Sequence, residues 1–364
     1  MKYNLIVGTW TPPGALFIFT FDSVTHRLTL LKRTPIPHDE PISWLTPSHN
    51  RKNLYGAGMK KWGSYTINNT TITHDVSLPL TGDPRAARSE TKTRAIFCLA
   101  GRKSPYYVYC NPFYDHAGYI NVQRVTPSGT LDRTIQDVRL EEKSAVHGMV
   151  FDEGEGYLYS ADMWANRIWT HRKLPNGELE YVDSTPAPDP NDHPRWVSIS
   201  RGDRFLFVLM EAGNRLCVYR LSSHKPGYTG EAYDLVPKGY NTTYPGMFRS
   251  DVCVVSPSGK YLFATARSND KNFSGYLSVF ELGDKGIERR VVMTPTSTSG
   301  GHSNAVAPCP WEEEFVALTD DERGFVEVYR FNAMELGRVA RVEVNEPGFG
   351  MNAVWVEGES RGLL

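Results

Sequence analysis

Six residues of this chain have the types needed to handle an anionic organic molecule: His147, Glu211, Arg94, Arg195, Arg267 and His302. An arginine fork clamps a carboxylate through bidentate, charge-assisted hydrogen bonds. A histidine and a glutamate in one pocket can divide the work of moving a proton. Together they suit a substrate with several carboxylates. The chain offers little else for chemistry. Its histidines show no HxH or HExxH spacing and its cysteines are scattered, so no metal cage is expected. A Gly-rich phosphate loop is absent, and so is the GxSxG of a nucleophilic serine. No cofactor is expected.

These residues lie far apart in the chain, so a scaffold must gather them. One pattern recurs: an apolar strand, a polar turn, then an aromatic-aliphatic-aromatic strand. It reads ISWLTPSHNRKNLYGAG from Ile42, VHGMVFDEGEGYLYSAD from Val146, and PRWVSISRGDRFLFVLME from Pro194. It returns as SDVCVVSPSGKYLFATAR from Ser250 and SNAVAPCPWEEEFVALTDD from Ser303, with a weaker copy from Arg94. The central apolar residues of the second strands are Leu5, Leu54, Val108, Leu158, Leu206, Leu262 and Val316, spaced by 49, 54, 50, 48, 56 and 54 residues. That spacing is about one four-stranded propeller blade. Alternating strands such as ALFIFTF (15–21) and FVEVYRF (325–331) follow. The expected fold is all-β: one seven-bladed β-propeller domain over residues 1–364. MNAVWVE (351–357) supplies the leading strand missing before Leu5, so both ends share a blade and leave no open edge.

In an up-and-down blade, the residues before strand one and those just after strand two reach the same face. That places Ser43, Trp44, Arg94, His147, Arg195, Asp251, His302, Asn304 and Asn352 at one channel mouth. Trp10, Gly58, Asn111, Asp162, Glu211, Arg267, Asp320 and Asp321 join them. Structural uses compete at each position. Asp162, Asp320 and Asp321 can cap turns, His302 and Asn304 can serve as turn residues, Arg195 or Arg267 can pair between blades, and His147 can be a packed histidine. Jointly, a mouth holding His147, Glu211 and three arginines reads as a site.

Bulk properties set the surroundings. Forty basic residues balance 41 acidic ones, which implies no polyanionic partner such as nucleic acid. Five cysteines without a CxxC read as free thiols in a reducing compartment. No signal peptide or membrane span is visible, and the final Gly-Leu-Leu is not a known sorting address, so a cytoplasmic protein is expected. The expected partner is a small polyanionic organic molecule, with neither nucleic acid nor membrane; a homo-oligomer is allowed.

Several stretches carry a resemblance: IVGTWTPPGA, DEPISWLTP, MKKW, TRAIF, YCNPFY, HGMVFD, YLYSAD, THRKL, DHPRWV, MEAGNR, TPTSTSGGHSNAV and EPGFGMNA, spread from residue 6 to 353. In them the chain resembles the fungal carboxy-cis,cis-muconate cyclase family, and more distantly the seven-bladed lactonases that include a 6-phosphogluconolactonase. The resemblance implies a metal-independent cycloisomerase of the protocatechuate branch of the β-ketoadipate pathway, interconverting 3-carboxy-cis,cis-muconate and 3-carboxymuconolactone. It implies catalytic roles for His147 and Glu211 and substrate binding by Arg195 and Arg267. Either His147 or Glu211 could carry the proton, and nearby arginines favour the histidine. Segment 228–248 and the C-terminal tail depart from the family pattern. Two other functions stay open: a hydrolytic lactonase, which adds water where a cyclase conserves mass, and a propeller scaffold for protein recognition, which the missing WD dipeptides disfavour.

Overall fold

The computed structural model describes residues 1–82 and 93–356. It holds seven four-stranded antiparallel sheets, each a meander. In ring order the innermost strands are Phe349–Val356, Trp44–Pro47, Arg94–Ala100, Val146–Phe151, Pro194–Ile199, Phe248–Val255 and Val306–Pro308. Each contacts its neighbours on both sides around a central channel. The expected seven-bladed propeller is therefore the observed one. Among the described residues no helix is long and apolar enough to cross a membrane.

The seven apolar anchors all fall in second strands and are at most 1% exposed. A second strand is covered on both faces by the neighbouring blades, so it reads as a continuous apolar run. Phe205–Met210, FLFVLM, is buried at every position. Outermost strands face water and carry charge, as in Arg27–Pro35, which blunts the exposed sheet edges.

Closure occurs where expected. Lys2–Thr9 lies between Phe349–Val356 and Ala15–Asp22 in the first blade. Asn352 ties that blade to the second: its Oδ1 accepts from Leu45 N at 2.9 Å and its Nδ2 donates to Leu45 O at 3.0 Å. On the other side, Trp355 Nε1 donates to Ala307 O of the seventh blade at 2.8 Å. Glu357, which the sequence pattern adds to the closing strand, and the tail after it lie outside the described residues.

Three aromatic side chains meet across the channel. Trp44, Phe97 and Trp196 come from the second, third and fifth blades, with ring centroids 4.6–5.5 Å apart. Trp44 and Trp196 of this cluster also line the cavity at one channel mouth, called the cup below.

Candidate active site at the channel mouth

The inner strands are irregular where they reach this mouth. Pairing with the second strand shifts register between Ala95 and Phe97, Val146 and Met149, Pro194 and Trp196, and Ser250 and Cys253. A β-bulge bends the strand and re-aims the extra residue. The residues inside these bulges include His147, Arg195 and Asp251. Gly148, beside His147, lets the fourth and fifth blades approach closely: a Cβ there would stand 3.0 Å from Arg195 O and from the Trp196 ring.

The cup has a volume of about 160 Å³. That is room for on the order of ten waters, the scale of a small organic acid. Trp44, Phe113, Met163, Trp196 and Met351 give it an apolar wall, and His147, Arg195, Glu211, Arg249, Asp251 and Arg267 supply the charge. His302 and Trp10 stand at its rim.

Arg195 is the hub. It donates from NH1 to Glu211 Oε2 at 2.5 Å, from NH2 to Asp251 Oδ1 at 2.9 Å, and from Nε to Asp251 O at 3.1 Å. Burial disfavours its charge, but the two carboxylates outweigh burial and hold it above its ordinary pKa. Arg267 has less support: its NH2 lies 3.5 Å from Asp251 Oδ1, and its buried Nε has no partner. Burial, with Arg195 and Arg249 nearby, pushes its pKa down to about 10, so it stays charged at neutral pH. Burial alone would raise the pKa of Asp251; Arg267 and Arg195, with the Asn304 N–H at 2.8 Å, outweigh it and lower it.

His147 is buried, with its ring 5.9 Å from Phe113 and 6.1 Å from Trp196, centroid to centroid. Its Nδ1 has no partner, while its backbone oxygen accepts from Asn111 Nδ2 at 3.0 Å. Burial, then Arg195 and Arg267, drive its pKa well below the ordinary value. In the free protein its imidazole is neutral.

The other expected mouth residues divide by role. His302 is largely exposed, stacks on Trp10 at 5.9 Å, and meets Asp321 Oδ2 through Nδ1 at 3.0 Å. Arg94 stands behind the wall. Its guanidinium lies 3.2 Å from the centre of the Trp10 ring and donates to Ser43 Oγ at 2.8 Å and Trp10 O at 2.6 Å. Burial without a carboxylate lowers its pKa to about 10. Asp162 caps a turn, accepting from Ala145, Trp164 and Ala165 N–H groups and from Trp169 Nε1. Asp320 accepts from Thr298 and from Arg323 N. Segment 228–248 packs beside the cup, with Asn241 Nδ2 donating to Gly213 O at 3.3 Å, and does not line it.

Arg249 escapes the repeat pattern. The inner pair of the sixth blade runs two residues further toward the mouth than the motif from Ser250 suggests, which sets Arg249 directly opposite Arg267. Period-two alternation from Asp251 back to Arg249 is the signal that would have found it. No group of three His, Cys, Asp or Glu side chains arranged to hold a metal occurs among the described residues.

A seven-bladed propeller is the fold that defines one family of lactonases. The chain belongs to this family: the model described as "Lactonase, 7-bladed beta-propeller" matches residues 4–351. It is 51% identical over 363 residues to the carboxy-cis,cis-muconate cyclase of Neurospora crassa, covering 98% of this chain and 99% of that protein. To muconate cycloisomerase 1 of Cutaneotrichosporon cutaneum it is 23% identical over 91% of each. The solved periplasmic gluconolactonase of Pseudomonas aeruginosa shares the fold, with TM-score 0.81 and 18% identity over 99% of this chain and 100% of that one.

Proposed function

We propose that this protein interconverts 3-carboxy-cis,cis-muconate and 3-carboxymuconolactone, as a lactonizing cycloisomerase of the protocatechuate branch of the β-ketoadipate pathway. The observation that carries the reading is the 51% identity to a carboxy-cis,cis-muconate cyclase along nearly the full length of both chains. The arginine-rich cup supports it. The whole chain acts as one propeller domain, and the five buried free cysteines suit a cytoplasmic setting.

The reaction closes a five-membered ring. A carboxylate oxygen bonds to the γ carbon of the conjugated diene, and the displaced electron pair moves toward the carboxylate at the far end. An enolate-like intermediate results, and a proton then adds to its carbon. Arg195 and Arg267 hold carboxylates and stabilise the charge that develops, in a cup where apolar walls strengthen the attraction. His147 moves the proton. Glu211 is engaged with Arg195 and fixes the guanidinium.

Burial is the main cause that keeps His147 neutral; the two arginines add to it, and their charge is the part that a substrate trianion would offset. Substrate binding thus favours imidazolium, ready to protonate carbon. In the reverse direction neutral His147 takes that proton. Lactone opening should therefore keep its kcat/KM from pH 8 to below 6.5 and fall only in more acid solution, where His147 of the free protein becomes protonated. A fall already centred at 6.5 or above would contradict this role.

The functional test is direct. Protein treated with a chelator is mixed with 3-carboxy-cis,cis-muconate, and the diene absorbance is followed. Loss of absorbance with a product of unchanged mass is expected. A persistent diene would overturn the reading, and a product heavier by one water would point to hydrolysis.

A further inference from the structure

The three guanidinium groups of the cup share two carboxylates unequally. Arg195 takes both Glu211 and Asp251. Arg267 has a 3.5 Å contact with the oxygen that Arg195 already uses. The Arg249 side chain makes no hydrogen bond or ion pair among the described residues, although its charge acts weakly on Asp251, and its Nε is buried without a partner. It also stands opposite Arg267 across an antiparallel pair, where like charges repel. Such an arrangement is costly in the free protein, since a buried donor left without an acceptor destabilises the fold. It is relieved when the anionic groups of a ligand bind to these arginines.

Resting on the reading above, we propose that Arg249 is a specificity residue: it binds the third carboxylate, the one that distinguishes a tricarboxylate diene from a plain muconate. Of the three carboxylates of such a substrate, one attacks and one takes up the developing charge. The remaining one changes little between ground and transition state. A residue bound to it contributes equally to both states and so acts on KM, with kcat largely kept. Arg195 and Arg267, which serve the reacting carboxylates, act on kcat as well.

The test compares wild type with Arg249→Met and Arg249→Lys, using 3-carboxy-cis,cis-muconate and cis,cis-muconate. For the dicarboxylate, KM is measured or, where it is not turned over, Ki as a competitive inhibitor. Arg249→Met should raise KM for the tricarboxylate by at least ~10-fold, hold kcat within about 3-fold, and remove most of the preference over the dicarboxylate. Arg249→Lys keeps the charge without the fork and should fall between. A loss of the same factor for both acids, or a fall in kcat at unchanged KM, would overturn the assignment. Wild-type protein that leaves the tricarboxylate untouched, yet binds it in a way that Arg249→Met weakens, would overturn the cycloisomerase reading and spare the carboxylate site. If it neither turns over nor binds the tricarboxylate, both fail.

Discussion

His147 and His171 stand in the same blade, and both are buried. His171 sits on the third strand, paired with Leu158 and Tyr181, and neither ring nitrogen has a partner. Burial alone lowers its pKa to about 4. His147 sits in a bulge of the inner strand, and its pKa is depressed by burial and by two arginines. Both rings are neutral at pH 7, chiefly because they are buried; only His147 has arginines adding to the effect. Packing fixes the state of His171 as long as the blade is folded. The state of His147 depends on charges that an incoming anion can cancel. The same residue type, buried in both places, thus has neighbouring charges that a ligand could offset only at His147.

The largest effect should come from disturbing the charges around His147. Asp251→Ala leaves Arg195 and Arg267 short of a buried partner and should destabilise the fold by about 3–5 kcal/mol, read from the urea midpoint. A change below ~1 kcal/mol would mean that solvent already screens the cup.

The packed histidine sharpens the contrast through pH. The unfolded chain binds a proton at His171 near pH 6.5, while the folded chain resists until about pH 4. The unfolded state therefore binds more protons in that window. The stability contributed by neutral His171 is complete above 6.5 and is lost as pH falls toward 4, by roughly 3 kcal/mol. His171→Leu should remove that part of the acid sensitivity while turnover stays near wild type. If both proteins lose stability in parallel from pH 7 to 4, His171 does not titrate as described.

A smaller effect should come from the latch between the first and second blades. Asn352→Ala removes two hydrogen bonds to Leu45 and should cost about 1–3 kcal/mol in unfolding free energy. No change in the urea midpoint would show that closure rests on apolar packing alone.

Much of this was legible in the sequence. Even spacing of Leu5 through Val316 fixed the blade number, because a strand covered on both faces must be apolar throughout. Up-and-down connectivity then sent His147, Arg195, Glu211, Arg267 and His302 to one face, where the structure gathers them around one cavity. Depth was not legible. Arg94 starts an inner strand as His147 nearly does, yet it lies behind Trp10 and Ser43. Bulges decide such differences, and they leave no clear residue pattern. Arg249 was missed because one inner strand is longer than the repeat implies. Trp196 of the fifth blade meets Trp44 of the second and Phe97 of the third across the channel, so nothing local announces that cluster.

His147, neutral in the free protein, is the residue proposed to carry the proton in both directions of the reaction. The most direct test is the turnover of His147→Ala, with its unfolding midpoint confirmed near that of wild type. The expected kcat is at least ~100-fold lower in both directions, with 3-carboxy-cis,cis-muconate still bound. Turnover within a few-fold of wild type would contradict it.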